Sequence, residues 1–374
     1  MARPCDWMVR PKRYSLAVEL TPYCNQKCGY CYNDWRDDAA SSQAMPAADL
    51  LPLIERAVTE VEFDHVTLTG GEPFARVELF DILAMLERRG LRALIISNGG
   101  LITEAHAVRL APYRPLFVQI TLNGPEAGLH EEHVGKGHFD ATIRGIEVLV
   151  RHGVPVSGCI VITRKNARVV DRILDRFLGL GVTSVALSRY SPAGYASEQI
   201  AELLPSRTDL KAALDLAELH GKSRGMSLQA TMPVPPCVID TSTYPHVTFS
   251  SCPIGTEMQE FALGPRGELR NCTLHTEVIG DTQKDSFADR VTAPAVARYR
   301  DVTPAFCEPC PMKAQCAGGC GAAAAAVLGD PRGLDPFVGQ HVDDALRAKL
   351  AAARAGTARL IPAGRLRAGA SRLS

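Results

Sequence analysis

Short apolar or β-branched runs recur along the first part of the chain, at Ser15 to Leu20, His65 to Thr69, Ala93 to Ser97, Phe117 to Leu122, Val156 to Ile162 and Ser184 to Ser188. Runs of this length between turn residues predict strands. Between them, Ala48 to Val61, Leu79 to Arg89, Ala141 to His152 and Val169 to Leu180 carry apolar residues at helical spacing. Several of these stretches close on a glycine, as in RRGLRA, RHGVPV and LGLGVTS. Strands alternating with crossover helices predict an α/β fold with a parallel sheet. Six such units suit a partial (β/α)6 barrel of the TIM type better than an eightfold one, with reactive groups on the loops that follow the strands.

Asp209 to Arg224 reads as the last helix of that series, and the pattern then changes. Residues 232–272 hold PVPP, VTFS and EFALGPRGELRNC, short runs between turn signals that predict β-hairpins. The chain therefore divides into an extension at 1–13, a barrel at 14–225, a small loop-rich domain at 226–342 and a tail at 343–374. Its 374 residues match about two domains at roughly 150 residues each. Ala322 to Ala326 reads as helix, and the Ala- and Arg-rich end from Leu350 as frayed.

Composition narrows the chemistry. Lys and Arg number 41 against 41 Asp and Glu, so no net field gathers nucleic acid or anionic lipid. No apolar run reaches the roughly 18–20 residues that span a bilayer. MARPCDWMVRPKRY lacks the apolar core of a signal peptide. The expectation is a cytoplasmic protein with neither nucleic-acid nor membrane partners, in which 12 cysteines serve metal or redox chemistry rather than disulfides.

The cysteines fall in two groups. Cys24, Cys28 and Cys31 follow the first strand, six more lie from Cys252 to Cys320, and Cys5, Cys159 and Cys237 stand apart. Three thiolates at C-x3-C-x2-C spacing can hold three irons of a 4Fe-4S cube, leaving one iron for a chelating guest such as the methionyl end of S-adenosylmethionine. A zinc knuckle is the alternative, but no fourth ligand lies nearby. Cys159, within VSGCIVI, reads as packed core, and Cys5 as inert. Cys237, after PVPP, is equally filler, cluster ligand or hydrogen-atom donor. His130, His133 and His138 share a segment read more readily as a solvated loop than as catalytic. Tyr32 and Trp35 would shield the first cysteine group from water.

CNQKCGYCY, Cys24 to Tyr32, resembles the signature of radical S-adenosylmethionine (radical SAM) enzymes, and later segments agree in order. Gly70, Gly71, Glu72 and Pro73 match the family's GGEP motif, whose backbone and Glu hold the cofactor's amino group. Glycine there would let backbone approach a zwitterion closely. Ser97, Asn98 and Gly99 match the segment after the third strand, and ITLNGPEAGLHEEHVGKGHFDAT resembles the S-L-D-G segment, with Asn123 in place of Asp. RYSPAGYA, from Arg189 to Ala196, resembles the segment along the adenine and ribose. The resemblance covers about residues 14–225. It implies reductive cleavage of S-adenosylmethionine to methionine and a 5'-deoxyadenosyl radical that takes hydrogen from an unactivated C–H bond, with a flavodoxin- or ferredoxin-type electron donor.

Downstream, Cys252, Gly267 and Cys272, then Cys307-x2-Cys310-x5-Cys316-x3-Cys320, resemble the SPASM extension, which carries one or two auxiliary 4Fe-4S clusters. The family pattern implies Cys252, Cys272 and Cys320 for the first and Cys307, Cys310 and Cys316 for the second. No cysteine follows Cys320, and Met258 stands in a usual ligand slot, so Cys237, Asp335 and His341 are the open candidates for further donors. Zinc is the alternative here too, although only one C-x2-C pair is present in this array. The pairing resembles peptide maturases, with dehydrogenation or cross-linking of a ribosomal precursor peptide as the expected activity. The alternatives are a dehydrogenase or epimerase of small alcohols or sugars, for which Cys237 would be the hydrogen donor, and a non-catalytic electron carrier. Only 23 residues precede Cys24, so leader recognition is expected from a separate protein, if it is needed.

Overall fold

The computed structural model describes residues 14–33, 44–301 and 303–342. Cys5, Trp35, the 1–13 extension and the 343–374 tail lie outside them. Eight strands, β1 (Tyr14–Glu19), β2 (Phe63–Thr69), β3 (Arg92–Ser97), β4 (Val118–Thr121), β5 (Val156–Ile162), β6 (Ser184–Arg189), β7 (Ser227–Ala230) and β8 (Val247–Phe249), stand in sequence order. Each pair of neighbours is parallel. The helices between them are α1 (Ala47–Glu60), α2 (Leu79–Arg88), α3 (Glu104–Leu110), α4 (Ala127–Val134), α5 (Phe139–Arg151), α6 (Val170–Gly179), α7 (Ile200–Leu203) and α8 (Arg207–Arg224).

The six expected strands and five expected helices are all present. Helix α6 shows why: Val170, Ile173, Leu174 and Phe177 form one apolar stripe at 3.6-residue spacing and are all buried. The Phe177 ring seats against Gly158 of β5, where a Cβ would fall 2.7 Å from it. Burying that ring contributes roughly 1.5–3 kcal/mol. Parallel strands buried on both faces require near-continuous apolar runs, and Leu16, Val18, Ile95, Ile120 and Ile160 are fully buried.

Three features differ from the pattern read along the chain. VTFS is β8, paired in parallel with β7 rather than lying in a hairpin, so the parallel run extends past the six expected strands. The segment holding His130 and His133 is helix α4, not a solvated loop, and both histidines are buried. Finally, β9 (Glu260–Leu263) crosses to the opposite edge and pairs in parallel with β1, Ser15 facing Glu260 and Val18 facing Leu263. The hairpin expected in EFALGPRGELRN is present as β9 and β10 (Glu268–Arg270), with Gly264 N–H donating to Glu268 O at 2.8 Å, and β11 (Val278–Asp281) follows antiparallel.

The order is thus β11-β10-β9-β1-β2-β3-β4-β5-β6-β7-β8, an open, partial barrel. A buried ion pair between Glu19 of β1 and Arg270 of β10 ties the hairpin to the sheet. The remainder of the described C-terminal region is loop-rich with short helices, among them Gly321–Leu328 over the alanine run.

Candidate active site

The three-cysteine loop leaves the C-terminal end of β1 and is held from several sides. Gly71 N–H donates to Thr21 O at 2.7 Å and Glu72 N–H to Tyr23 O at 2.8 Å, fastening it to the turn after β2. Gly29 N–H reaches His133 O on α4 at 2.9 Å, and Ala196 N–H, beyond β6, reaches Cys31 O at 2.8 Å. A Cβ on Gly71 would lie 1.9 Å from Tyr23 O, and one on Gly70, at φ +121°, 2.8 Å from Thr21 O. The protein's own backbone therefore demands this glycine pair, a different reason from the ligand approach expected of the motif.

Glu72 is wholly buried. Its Oε1 accepts from Phe74 N–H (3.0 Å) and Ser97 Oγ (2.8 Å), and its Oε2 from Asn98 N–H (2.9 Å). Burial lifts its carboxyl to about 6 despite these three donors. Asn98 carries the connection onward, with Nδ2 donating to Asn25 Oδ1 (2.7 Å) and lying 3.6 Å from Cys24 Sγ. Glu72, Ser97 and Asn98 thus form one chain of contacts ending on the first cysteine.

Burial pushes the Cys24 thiol up to about 11, with the charges of Glu72 and Cys31 acting in the same direction. Burial, then the neighbouring Cys28, Cys159 and Cys31, holds the Tyr30 phenol protonated. Tyr32 contacts Thr69 through its hydroxyl at 3.4 Å. Among the described residues no three Cys, His, Asp or Glu side chains meet as ligands of one metal ion. Three thiols on one short loop are the donor chemistry that an iron-sulfur cluster takes. Two polar atoms of the same loop are buried without a partner: Gln26 Nε2, a donor, and Asn33 Oδ1, an acceptor. Each is a polar atom that the loop's own residues leave unanswered and that a polar guest could answer.

Deeper in the barrel, His130 Nδ1 accepts from Asn123 N–H at 3.1 Å, while His130 Nε2 and Asn123 Nδ2 have no partner. Burial lowers His130 to about 4, so it is neutral. His133 is satisfied at both nitrogens by Leu129 O and Thr163 Oγ1, each at 2.8 Å. Cys159 is buried in β5, and burial pushes its thiol up to about 12.

Arg189, the last residue of β6, is engaged within the protein. It pairs with buried Asp335 at 2.6 Å, donates to Pro233 O and Tyr190 O, and stacks over Phe337 at 4.7 Å. With its N–H groups engaged inside the protein, it braces β6 against the C-terminal segment.

The cysteines of the second array lie close to one another, Cys252 within electrostatic reach of Cys316 as well. Cys252, Cys272 and Cys320 act electrostatically on one another and on Tyr299, whose buried hydroxyl has no partner. Cys320 caps the helix at Gly321–Leu328 through Ala323 N–H at 3.4 Å. Cys307, Cys310 and Cys316 line a single cavity, and Cys237 lines it with them. Met258 is 57% exposed, and His341 Nε2 accepts from Arg207 N–H at 2.9 Å. Sequence reasoning passed over Gln26, Asn33 and Tyr299. Gln26 and Asn33 stand beside cysteines in the sequence, the one available signal, and Tyr299 had none.

Comparison with known proteins agrees with this geometry. Residues 18–177 match the family model for the radical SAM superfamily. The PqqA peptide cyclase of Xanthomonas campestris pv. campestris (strain 8004) is 28% identical over 337 residues, 87% of this chain and 86% of that protein. Among solved structures, Streptococcus suis SuiB bound to its precursor peptide SuiA superposes with TM-score 0.67 at 17% identity, over 88% of this chain and 76% of that one. The native anSMEcpe with bound AdoMet gives 0.63 at 17%, over 91% and 98%. With its open barrel and a three-cysteine loop inside the matched segment, residues 18–177 form a radical SAM domain, and that family's chemistry implies S-adenosylmethionine and a 4Fe-4S cluster.

Proposed function

We propose that this enzyme is a maturase that abstracts hydrogen from a ribosomally made precursor peptide, leading to a cross-link or a dehydrogenated residue. The observation that carries the reading is the extent of the similarity to the peptide cyclase. It runs over 337 residues, well beyond the matched 18–177 segment and so into the second cysteine array. The superposition on a peptide-bound SuiB supports a compatible fold.

When bound, the cluster and S-adenosylmethionine supply a 5'-deoxyadenosyl radical. The residues divide the remaining work. Cys24, Cys28 and Cys31 would hold the cluster. Gln26 Nε2 and Asn33 Oδ1 would meet the methionyl carboxylate and ammonium, and Glu72, through Ser97 and Asn98, holds the loop in position. Gly70 and Pro73 shape the turn that seats Glu72, and Arg189 braces the far side of the barrel. Residues 14–225 carry the radical chemistry and 226–342 the auxiliary clusters, with Cys252, Cys272 and Cys320 as one ligand set and Cys307, Cys310 and Cys316 as the core of the other. These clusters would take up the second electron as product forms. The one-electron donor is of flavodoxin or ferredoxin type, and the setting is the cytoplasm.

The test is anaerobic incubation of the reconstituted enzyme, S-adenosylmethionine and reductant with each short peptide encoded beside the gene. Mass spectrometry should show one peptide losing two hydrogens in step with 5'-deoxyadenosine. Turnover of S-adenosylmethionine that leaves every such peptide unchanged, while a small alcohol or sugar is oxidised, would overturn the peptide reading.

A further inference from the structure

Of the second array's auxiliary ligands, Cys307, Cys310 and Cys316 supply three thiolates, whereas a fully protein-bound cube takes four. No cysteine follows Cys320. We propose that Cys237 is the fourth ligand of the cluster held by Cys307, Cys310 and Cys316. The inference rests on the auxiliary-cluster reading above and adds a donor from the loop after β7, upstream of the whole array.

The geometry is that of one cavity. Cys237, Cys307, Cys310 and Cys316 all line it, and Phe306 and Met312 lend it apolar walls of the kind that keep water from a cluster. Cys237 packs there with Phe306, Cys310 and Met312. Its backbone is fixed by a turn in which Val238 and Ile239 N–H both donate to Pro235 O, at 2.9 and 3.1 Å, with both side chains buried. On the opposite wall, Cys310 N–H donates to Cys307 O at 2.8 Å and Cys316 N–H to Met312 O at 2.9 Å. Beyond Cys316 the chain turns sharply through left-handed Ala317, Gly318 and Gly319.

The competing donors are committed elsewhere. Asp335 serves Arg189 at 2.6 Å and the N–H groups of Cys320 and Phe337 at 2.9 Å each. His341 accepts from Arg207 N–H, and Met258 points to solvent. Ligation is an exchange without redox change: the Cys237 thiol gives its proton to water as the Fe–S bond forms. Two consequences follow. This cluster has no iron open to substrate and serves electron transfer only, and Cys237 is not a hydrogen-atom donor.

The test uses the full chain with Cys24, Cys28 and Cys31 replaced by Ala, reconstituted anaerobically, so that only auxiliary iron is counted. Iron and sulfide content and the electron paramagnetic resonance spectrum after mild ferricyanide oxidation are compared with those of the same chain also carrying C237A, C237S or C307A. Cys237→Ala should lose one cluster equivalent, or yield one further equivalent of 3Fe-4S signal as the unprotected iron leaves. Cys237→Ser, whose oxygen can ligate, should keep its iron with an altered spectrum, which separates ligation from misfolding. If C307A costs a cluster but C237A matches its parent in iron and oxidation resistance, this inference alone falls. If C307A costs no iron, the second auxiliary cluster falls and the inference with it.

Discussion

A methyl group on Gly71 would sit 1.9 Å from the Tyr23 carbonyl oxygen, deep inside contact distance and against backbone that cannot swing aside. Gly71→Ala should therefore displace the cysteine loop and destabilise the protein by about 1–3 kcal/mol, the usual cost of overpacking. Thermal unfolding of the iron-free protein measures this, and a variant as stable as its parent would contradict it. The residue types of this site were legible in the sequence: the cysteine spacing, GGEP and SNG each stand where the folded chain brings them together. Their physical roles were not, because each is set by a partner remote in sequence. Gly71 answers to Tyr23, Glu72 to Ser97 and Asn98, and Arg189 to Asp335. Cys237 likewise meets Cys307, Cys310 and Cys316 only in the fold.

At the level of elements, β6 is joined to the loop-rich segment by the Arg189–Asp335 pair, buried on both sides. Removing one partner strands the other charge away from water. Asp335→Ala should cost about 3–5 kcal/mol in urea unfolding, whereas replacing both with apolar residues of similar volume should recover much of that loss. Equal losses in the single and double variants would contradict this account. Periodicity located the longer elements to within two or three residues. It missed β7 and β8 as parallel strands because four and three residues carry no usable period, and the prolines around them read as turns. It missed α4 because that helix has no one-sided apolar face: His130 and His133 are buried on the strength of hydrogen bonds.

Across the whole molecule, one sheet carries both cysteine regions. The strand β9 pairs directly with β1, whose C-terminal end feeds the three-cysteine loop, while Cys237 follows β7 near the other edge. None of the helices among the described residues is long and apolar enough to cross a membrane. The charge balance spoke against nucleic-acid binding, and the cysteine clustering pointed to metal or redox chemistry. The joining of the two regions in one sheet was hidden because the β1–β9 pairing spans most of the chain. The proposed function assigns this organisation a single event, the cleavage of S-adenosylmethionine at the Cys24, Cys28 and Cys31 loop. The most direct measurement is 5'-deoxyadenosine formed by the anaerobically reconstituted chain with reductant and S-adenosylmethionine, beside the variant with those three cysteines changed to Ala. The account predicts product from the first and none from the second. Equal yields from both, or none from a parent chain that carries its cubane cluster, would contradict it.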